Sequence, residues 1–181
     1  MSDPDGLSLR LATEADMDEL RPLMDRAIRE LLRPYLPPEA VEGSFEIMGI
    51  DTQLIADGTY FAVVAPDGRI AGCGGWSRRA TMFGGDHTGG RDPAPLDPAT
   101  DPARVRAMYT HPDFTRRGVG RMVIAACEDA ARAEGFRRVW LVATMAGAPF
   151  YEACGYEVLE ETSATASNGA VIPLKRMGKA L

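Results

Sequence analysis

The stretch that most constrains this chain is "VRAMYTHPDFTRRGVGRMVIAACEDAARAEG", residues 105–135, because it specifies a strand, a charged glycine loop and a helix in immediate succession. Residues 105–110 read as a strand, which "HPD" ends, since the residue before Pro112 is pushed away from helix. A helix follows from about Val119 to Glu134, with Val119, Met122, Val123, Ala126, Ala130 and Ala133 on one side. Gly135 suits the position just past its end. Between them lies "TRRGVGR", residues 115–121. A helix start leaves its first amides unpaired and presents the positive end of the dipole. Without Cβ atoms, Gly118 and Gly120 let those amides approach an anion, and Arg116, Arg117 or Arg121 add charge. The loop is either such an anion turn, for which a pyrophosphate is the natural guest, or a solvent-facing bend with unrelated arginines. It is neither a P-loop nor a dinucleotide fingerprint, because the lysine of the first and the third glycine of the second are missing.

The flanking sequence builds a mixed domain around this segment. Residues 7–11 alternate as a half-buried strand. Thr13 and Asp16 then have the spacing of a capping pair, ahead of a helical period at Met17, Leu20, Met24, Ala27 and Leu31. Pro22 is expected to kink that helix unless it falls in the opening turn. Residues 39–50 offer a second, shorter helix. "YFAVVA", "PDGR" and "IAGCGGW" form a hairpin, in which Gly72, Gly74 and Gly75 mark either a bulge with close backbone approach or a tolerated edge strand. Residues 78–104 are dense in Gly, Pro and Asp without a period, and read as a flexible insertion or lid. Strands over 138–143, from 156 and near 171–177, with a short helix over 149–154, complete one domain spanning 1–181. At 181 residues one continuous core is affordable.

These surroundings resemble the GCN5-related N-acetyltransferase (GNAT) family. The likeness is carried by the strand ending before "HP", the "RRGVG" loop, the long following helix, the "RVWL" strand and "FYEACGY", and extends loosely from Leu7 to Met177. It implies an α/β fold with a central, splayed, mostly antiparallel sheet flanked by helices, and acetyl-CoA as cosubstrate. Met108, Tyr109 and Thr110 would line the acyl-CoA side of the central strand. Amides of Arg116, Arg117, Gly118, Val119, Gly120 and Arg121 would hold the pyrophosphate. Two positions depart from the family: Thr115 stands where Gln or Arg is common, and Thr144 where Asn is common.

Acyl transfer from a thioester to an amine requires a neutral amine, a polarised carbonyl and a proton for the departing thiolate. The family's tyrosine supplies that proton, which assigns Tyr151 as the catalytic residue. The alternative is an aromatic packed beside Phe150 and Tyr156. Glu42, Glu46 and Asp51 border the expected acceptor cleft, as bases or as surface carboxylates. His111 reads as a structural hydrogen bonder, and His87 as a loop residue near the acceptor. The expected function is transfer of an acetyl group to an amine-bearing small molecule or peptide by direct attack in a ternary complex. The alternative is a non-catalytic acyl-CoA-binding regulatory or structural module of the same fold.

Other classes fit less well. A net charge of −6, with "GWSRR" as the lone aromatic and basic cluster, argues against nucleic acid. Two isolated histidines and the dispersed Cys73, Cys127 and Cys154 give no metal-ligand spacing, so no metal is expected. No apolar run of about 20 residues occurs and the opening "MSDPDGLSLR" is acidic, which points to a cytoplasmic protein without membrane attachment. The family's habit of pairing makes a homodimer an expectation.

Overall fold

A computed structural model describes residues 6–181; the acidic opening 1–5 lies outside the described residues. Twelve helices and strands succeed one another: β1 (Ser8–Leu11), α1 (Met17–Leu32), α2 (Pro38–Ser44), α3 (Thr52–Ala56), β2 (Tyr60–Val64), β3 (Ile70–Ser77), β4 (Ala103–Thr110), α4 (Val119–Ala133), β5 (Arg138–Thr144), α5 (Ala148–Ala153), β6 (Glu157–Thr165) and β7 (Val171–Ala180). The strands form one sheet in the order β1-β2-β3-β4-β5-β7-β6. Every neighbouring pair is antiparallel except β4 with β5.

Helices cover both faces, so the sheet separates two cores. On one face Leu20, Met24, Ala27 and Ile28 of α1 pack with Ala40 and Val41 of α2. On the other, Val119, Val123, Cys127 and Ala131 of α4 pack on Val105, Val139 and Leu141. Each fully buried large aliphatic side chain contributes about 1.5–3 kcal/mol, so these two stripes fix which face of the sheet each helix takes. The α4 stripe follows the i, i+4 row through Val119, and the expected Met122, Ala126 and Ala130 lie at its margin while Ala133 is exposed.

The Thr13–Asp16 pair behaves as its spacing predicts. The Asp16 carboxylate accepts from the Thr13 amide at 2.7 Å and pairs with Arg10 at 2.6 Å, opening a 3-10 turn that runs into α1. The Arg10 guanidinium holds the Asp16 carboxyl down at about 2. Pro22 lies inside α1, beyond its opening turn, and the helix continues through it. The second helix ends at Ser44, earlier than the sequence suggests, and α3, which Asp51 caps by accepting from the Gln53 amide, has no counterpart in the sequence reading.

Gly72 and Gly74 answer the question the sequence left open. β3 lies between β2 and β4, not at an edge. A Cβ at Gly72 would sit 2.4 Å from Val119 Cγ1, and one at Gly74 would sit 2.6 Å from Met108 Cγ and 2.8 Å from Val123 Cγ1. These glycines let α4 seat closely on the sheet. The segment between β3 and β4 folds back on itself, with Ala80 N donating to Ala94 O and Thr81 N to Asp92 O, both at 2.9 Å, before β4 begins at Ala103.

Candidate active site

The central feature of the sheet is a split. β4 and β5 pair only at Ala103 with Val139 and Arg104 with Trp140, and then diverge. On their outer sides both strands stay fully engaged, β4 with β3 and β5 with β7. Beyond Arg104 the β5-facing edge of β4 therefore has no strand partner. A cavity of about 130 Å³ occupies the gap, lined by Val105–Tyr109 of β4 and by Leu141–Thr144 of β5.

A bulge in β4 shapes this edge. Cys73 pairs with Tyr109 and Gly75 with Arg106, so Ala107 and Met108 together oppose Gly74. Ala107 takes φ of +50°, and its carbonyl accepts from the Tyr60 hydroxyl at 2.8 Å. Bulges re-aim backbone groups, and this one lies where the strands part.

The predicted loop lies beside the end of β4. Gly118 caps α4 with φ of +81°, a left-handed conformation that suits glycine, and Arg116 shares it at +64°. Gly118 makes no side-chain cap, which leaves the amides of Val119, Gly120 and Arg121 at the positive end of a 15-residue helix. Arg116 and Arg121 are exposed, and Arg117 lies over the Phe114 ring at 5.1 Å. The absent Cβ of Gly120 has a direct reason, since it would sit 2.9 Å from Phe150 Cζ of α5. Thr115 Oγ1 donates to the Pro112 carbonyl at 3.3 Å, so its hydroxyl is turned onto its own loop. His111 accepts from the Asp113 amide at 3.1 Å and thus organises the same turn.

Tyr151 of α5 lines the cavity from the α4 side. Its ring also packs edge-on against Phe150 at 5.1 Å and Tyr156 at 5.8 Å, so the packing and the cavity-facing readings of this residue coexist. Among the described residues no partner hydrogen-bonds its hydroxyl, and burial pushes its pKa upward, so the phenol stays protonated at neutral pH. Thr144 Oγ1 accepts from the Gly147 amide at 3.1 Å, fixing the turn into α5. Met108 and Tyr109 both line the cavity. The Tyr109 side chain reaches the opposite face from α4, where its hydroxyl accepts from Gly49 N at 2.8 Å. Thr110 pairs with Gly72 at the end of β4, close to the start of α4.

The far wall was largely invisible in the sequence. Ile47, Met48 and Gly49 line the cavity from one loop, and Met82, Phe83 and Gly84 line it from a second. The two loops are joined: Thr88 Oγ1 donates to Glu46 O at 2.9 Å, Asp86 N to Ile50 O at 2.8 Å, and His87 Nε2 meets Phe45 O at 2.6 Å. Beneath them Asp51, 2% exposed, pairs with Arg91 and with buried Arg106, each at 2.6 Å. None of the three candidate bases is free. Asp51 is in this buried cluster, Glu42 pairs with Arg29, and Glu46 accepts from the hydroxyl and amide of Ser167, which lower its pKa. Arg78 and Arg79 are likewise committed, to Glu134 and Asp57. Spacing signals none of these partnerships, because each joins residues far apart in the chain.

Among the described residues no helix is long and apolar enough to cross a membrane, and no cluster of His, Cys, Asp or Glu could hold a metal. No curated protein matches the chain significantly. Solved structures do. The chain superposes over its full length on a GCN5-related N-acetyltransferase from Rhodopseudomonas palustris, covering 98% of it with a TM-score of 0.71 at 21% identity. It also superposes in full on 89% of a GNAT-superfamily phosphinothricin acetyltransferase from Sinorhizobium meliloti, solved with AcCoA, with a TM-score of 0.66 at 18% identity. A PaiA N-acetyltransferase from Thermoplasma acidophilum, solved with coenzyme A, matches 97% of the chain over 99% of its own, with a TM-score of 0.65 at 14% identity. At these identities the likeness shows the fold, a mixed seven-stranded sheet flanked by helices. The sequence model described as the acetyltransferase (GNAT) family matches residues 25–156, which contain the split, the glycine loop and Tyr151, and the chain therefore belongs to the acetyltransferase (GNAT) family.

Proposed function

We propose that this chain transfers an acetyl group from acetyl-CoA to an amine by direct attack within a ternary complex. The observation that supports this reading best is the junction of three features: the unpaired edge of β4, the uncapped amides of α4 beside its end, and Tyr151 facing the cavity from the neighbouring helix. These groups suit the cosubstrate. The free edge of β4 offers backbone donors and acceptors to an extended amide-bearing chain such as pantetheine. The amides of Val119, Gly120 and Arg121 suit a pyrophosphate, with Arg116, Arg117 and Arg121 assisting.

Acetyl-CoA would supply an activated acyl group in the form of a thioester. In the reaction the amine nitrogen forms a bond to the acyl carbon as the carbon–sulfur bond breaks. Backbone groups at the bulge of Ala107 and Met108 polarise the carbonyl. Tyr151 gives its phenolic proton to the departing thiolate and regains one from solvent. The amine proton passes to water, since no carboxylate lines the cavity.

The same lack of a carboxylate favours a second reading, a non-catalytic acyl-CoA-binding module. A thiol-release assay over an amine library, with mass detection of the product, separates the two. Transfer predicts acetylated amine and free CoA in equal amounts; saturable acetyl-CoA binding with no product would support the binding module instead.

A further inference from the structure

We propose that the acceptor is a small monoamine on a compact apolar body, selected by the wall of Ile47, Met48, Met82 and Phe83; this rests on the transferase reading above and names its acceptor class. The cavity passes through the sheet. Val105, Met108 and Tyr151 belong to the α4 side, where the thioester would arrive, whereas Ile47, Met48, Val142 and Leu174 border the α1 side. Met82 and Phe83 also line the cavity, and Phe83 is substantially exposed. An acceptor must therefore approach through apolar side chains.

Charge narrows the class further. No Asp or Glu lines the cavity, so a second ammonium carried by the acceptor would be desolvated without a partner. An acceptor carboxylate fares no better. Arg106 is the one ionised side chain in the lining, and it is held by Asp51 and by the Gly84 carbonyl. Arg91 is held by Asp51 and Asp86. The cavity of about 130 Å³ must take the acetyl thioester as well as the reacting end of the acceptor, which keeps the acceptor's body compact. The wall is preformed, because the Tyr109 hydroxyl holds Gly49 and the bonds from Asp86 and Thr88 tie the two loops together.

The test uses the full chain and three probes that differ in charge: 2-phenylethylamine, phenylalanine and spermidine. Their binding to the CoA-loaded protein is measured by calorimetry, and their acetylation by thiol release from acetyl-CoA. Phenylethylamine is expected to exceed each of the others about tenfold or more, in affinity and in kcat/KM. Phe83→Glu is expected to shift the phenylethylamine-to-spermidine ratio about tenfold toward spermidine. Preference for spermidine or phenylalanine overturns the acceptor class while leaving transfer intact. Binding of phenylethylamine without thiol release overturns transfer and supports the class. Failure of phenylethylamine to bind the CoA-loaded protein overturns the class, and an unchanged ratio in folded Phe83→Glu overturns the selecting role of the wall. The wild-type panel decides the matter if that variant does not fold.

Discussion

The two walls of the split are built by different physics. On the α4 side the groups presented are main-chain amides, left uncapped behind a left-handed glycine at 118 and brought close to α5 by the missing Cβ at 120. On the α1 side the loops around 45–51 and 80–91 have no such regularity. They are held by a buried carboxylate between two guanidiniums and by hydrogen bonds that link residues some 40 positions apart. The first wall suits a ligand of fixed chemistry, since backbone geometry leaves little to vary. The second presents side chains, which substitution can change without altering the strands beneath.

The largest effect that would test this contrast is on stability. Asp51→Ala leaves buried Arg106 and neighbouring Arg91 without their shared carboxylate, and is expected to cost about 3–5 kcal/mol in chemical denaturation. A loss below about 1 kcal/mol would show that charge pairing does not hold the loops on the α1 side.

Next comes turnover. Tyr151→Phe is expected to lower kcat about 100-fold while changing acetyl-CoA affinity little, as read by steady-state kinetics and calorimetry. Normal turnover in the folded variant would leave Tyr151 a packing residue only. The pH profile gives an independent check. Burial raises the Tyr151 pKa, so the acid form persists above the ordinary phenol value of about 10, and no basic limb from this group should appear between pH 7 and 10.

A smaller effect is expected at the backbone-built wall. Gly120→Val meets the Phe150 ring and is expected to weaken CoA binding about tenfold by displacing the first turn of α4. Unchanged affinity would shift recognition from the amides to the exposed arginines.

The smallest concerns Asp16, away from both walls. Its carboxyl is depressed to about 2 by Arg10, so the stability it contributes is present above the unfolded carboxylate value and is lost as pH falls from about 4 through about 2. With half-exposed Arg10 as partner, Asp16→Asn should cost about 1 kcal/mol at neutral pH, and the gap to wild type should close in acid melts.

The same contrast explains what could be read in advance. The strand ending at "HP", the glycine loop, α4 with Gly135 beyond it, and the hairpin around "PDGR" all depend on interactions within a few residues of chain. Turn chemistry, helix periodicity and the restriction before proline act at that range, and the structure has these elements at 103–110, 119–133, 60–64 and 70–77. Local signals are weak elsewhere. Residues 45–51 are apolar and acidic without a period and mark no end to the second helix, and the 5 residues of α3 are too few to show a period of their own. The glycines of β3 left two readings, and only the approach of Val119 and Val123 selects between them.

By itself the sequence determined the order of strand, loop and helix around Gly118, and the positions of Gly118 and Gly120 at the start of α4, because backbone conformation answers to nearest neighbours. Tertiary structure alone decided that β4 and β5 part after Arg104, that Tyr151 faces the gap, and that Asp51 is buried between Arg91 and Arg106. Those outcomes depend on packing and charge pairing between segments distant in the chain, whose energies exist only once the two cores have closed on either face of the sheet.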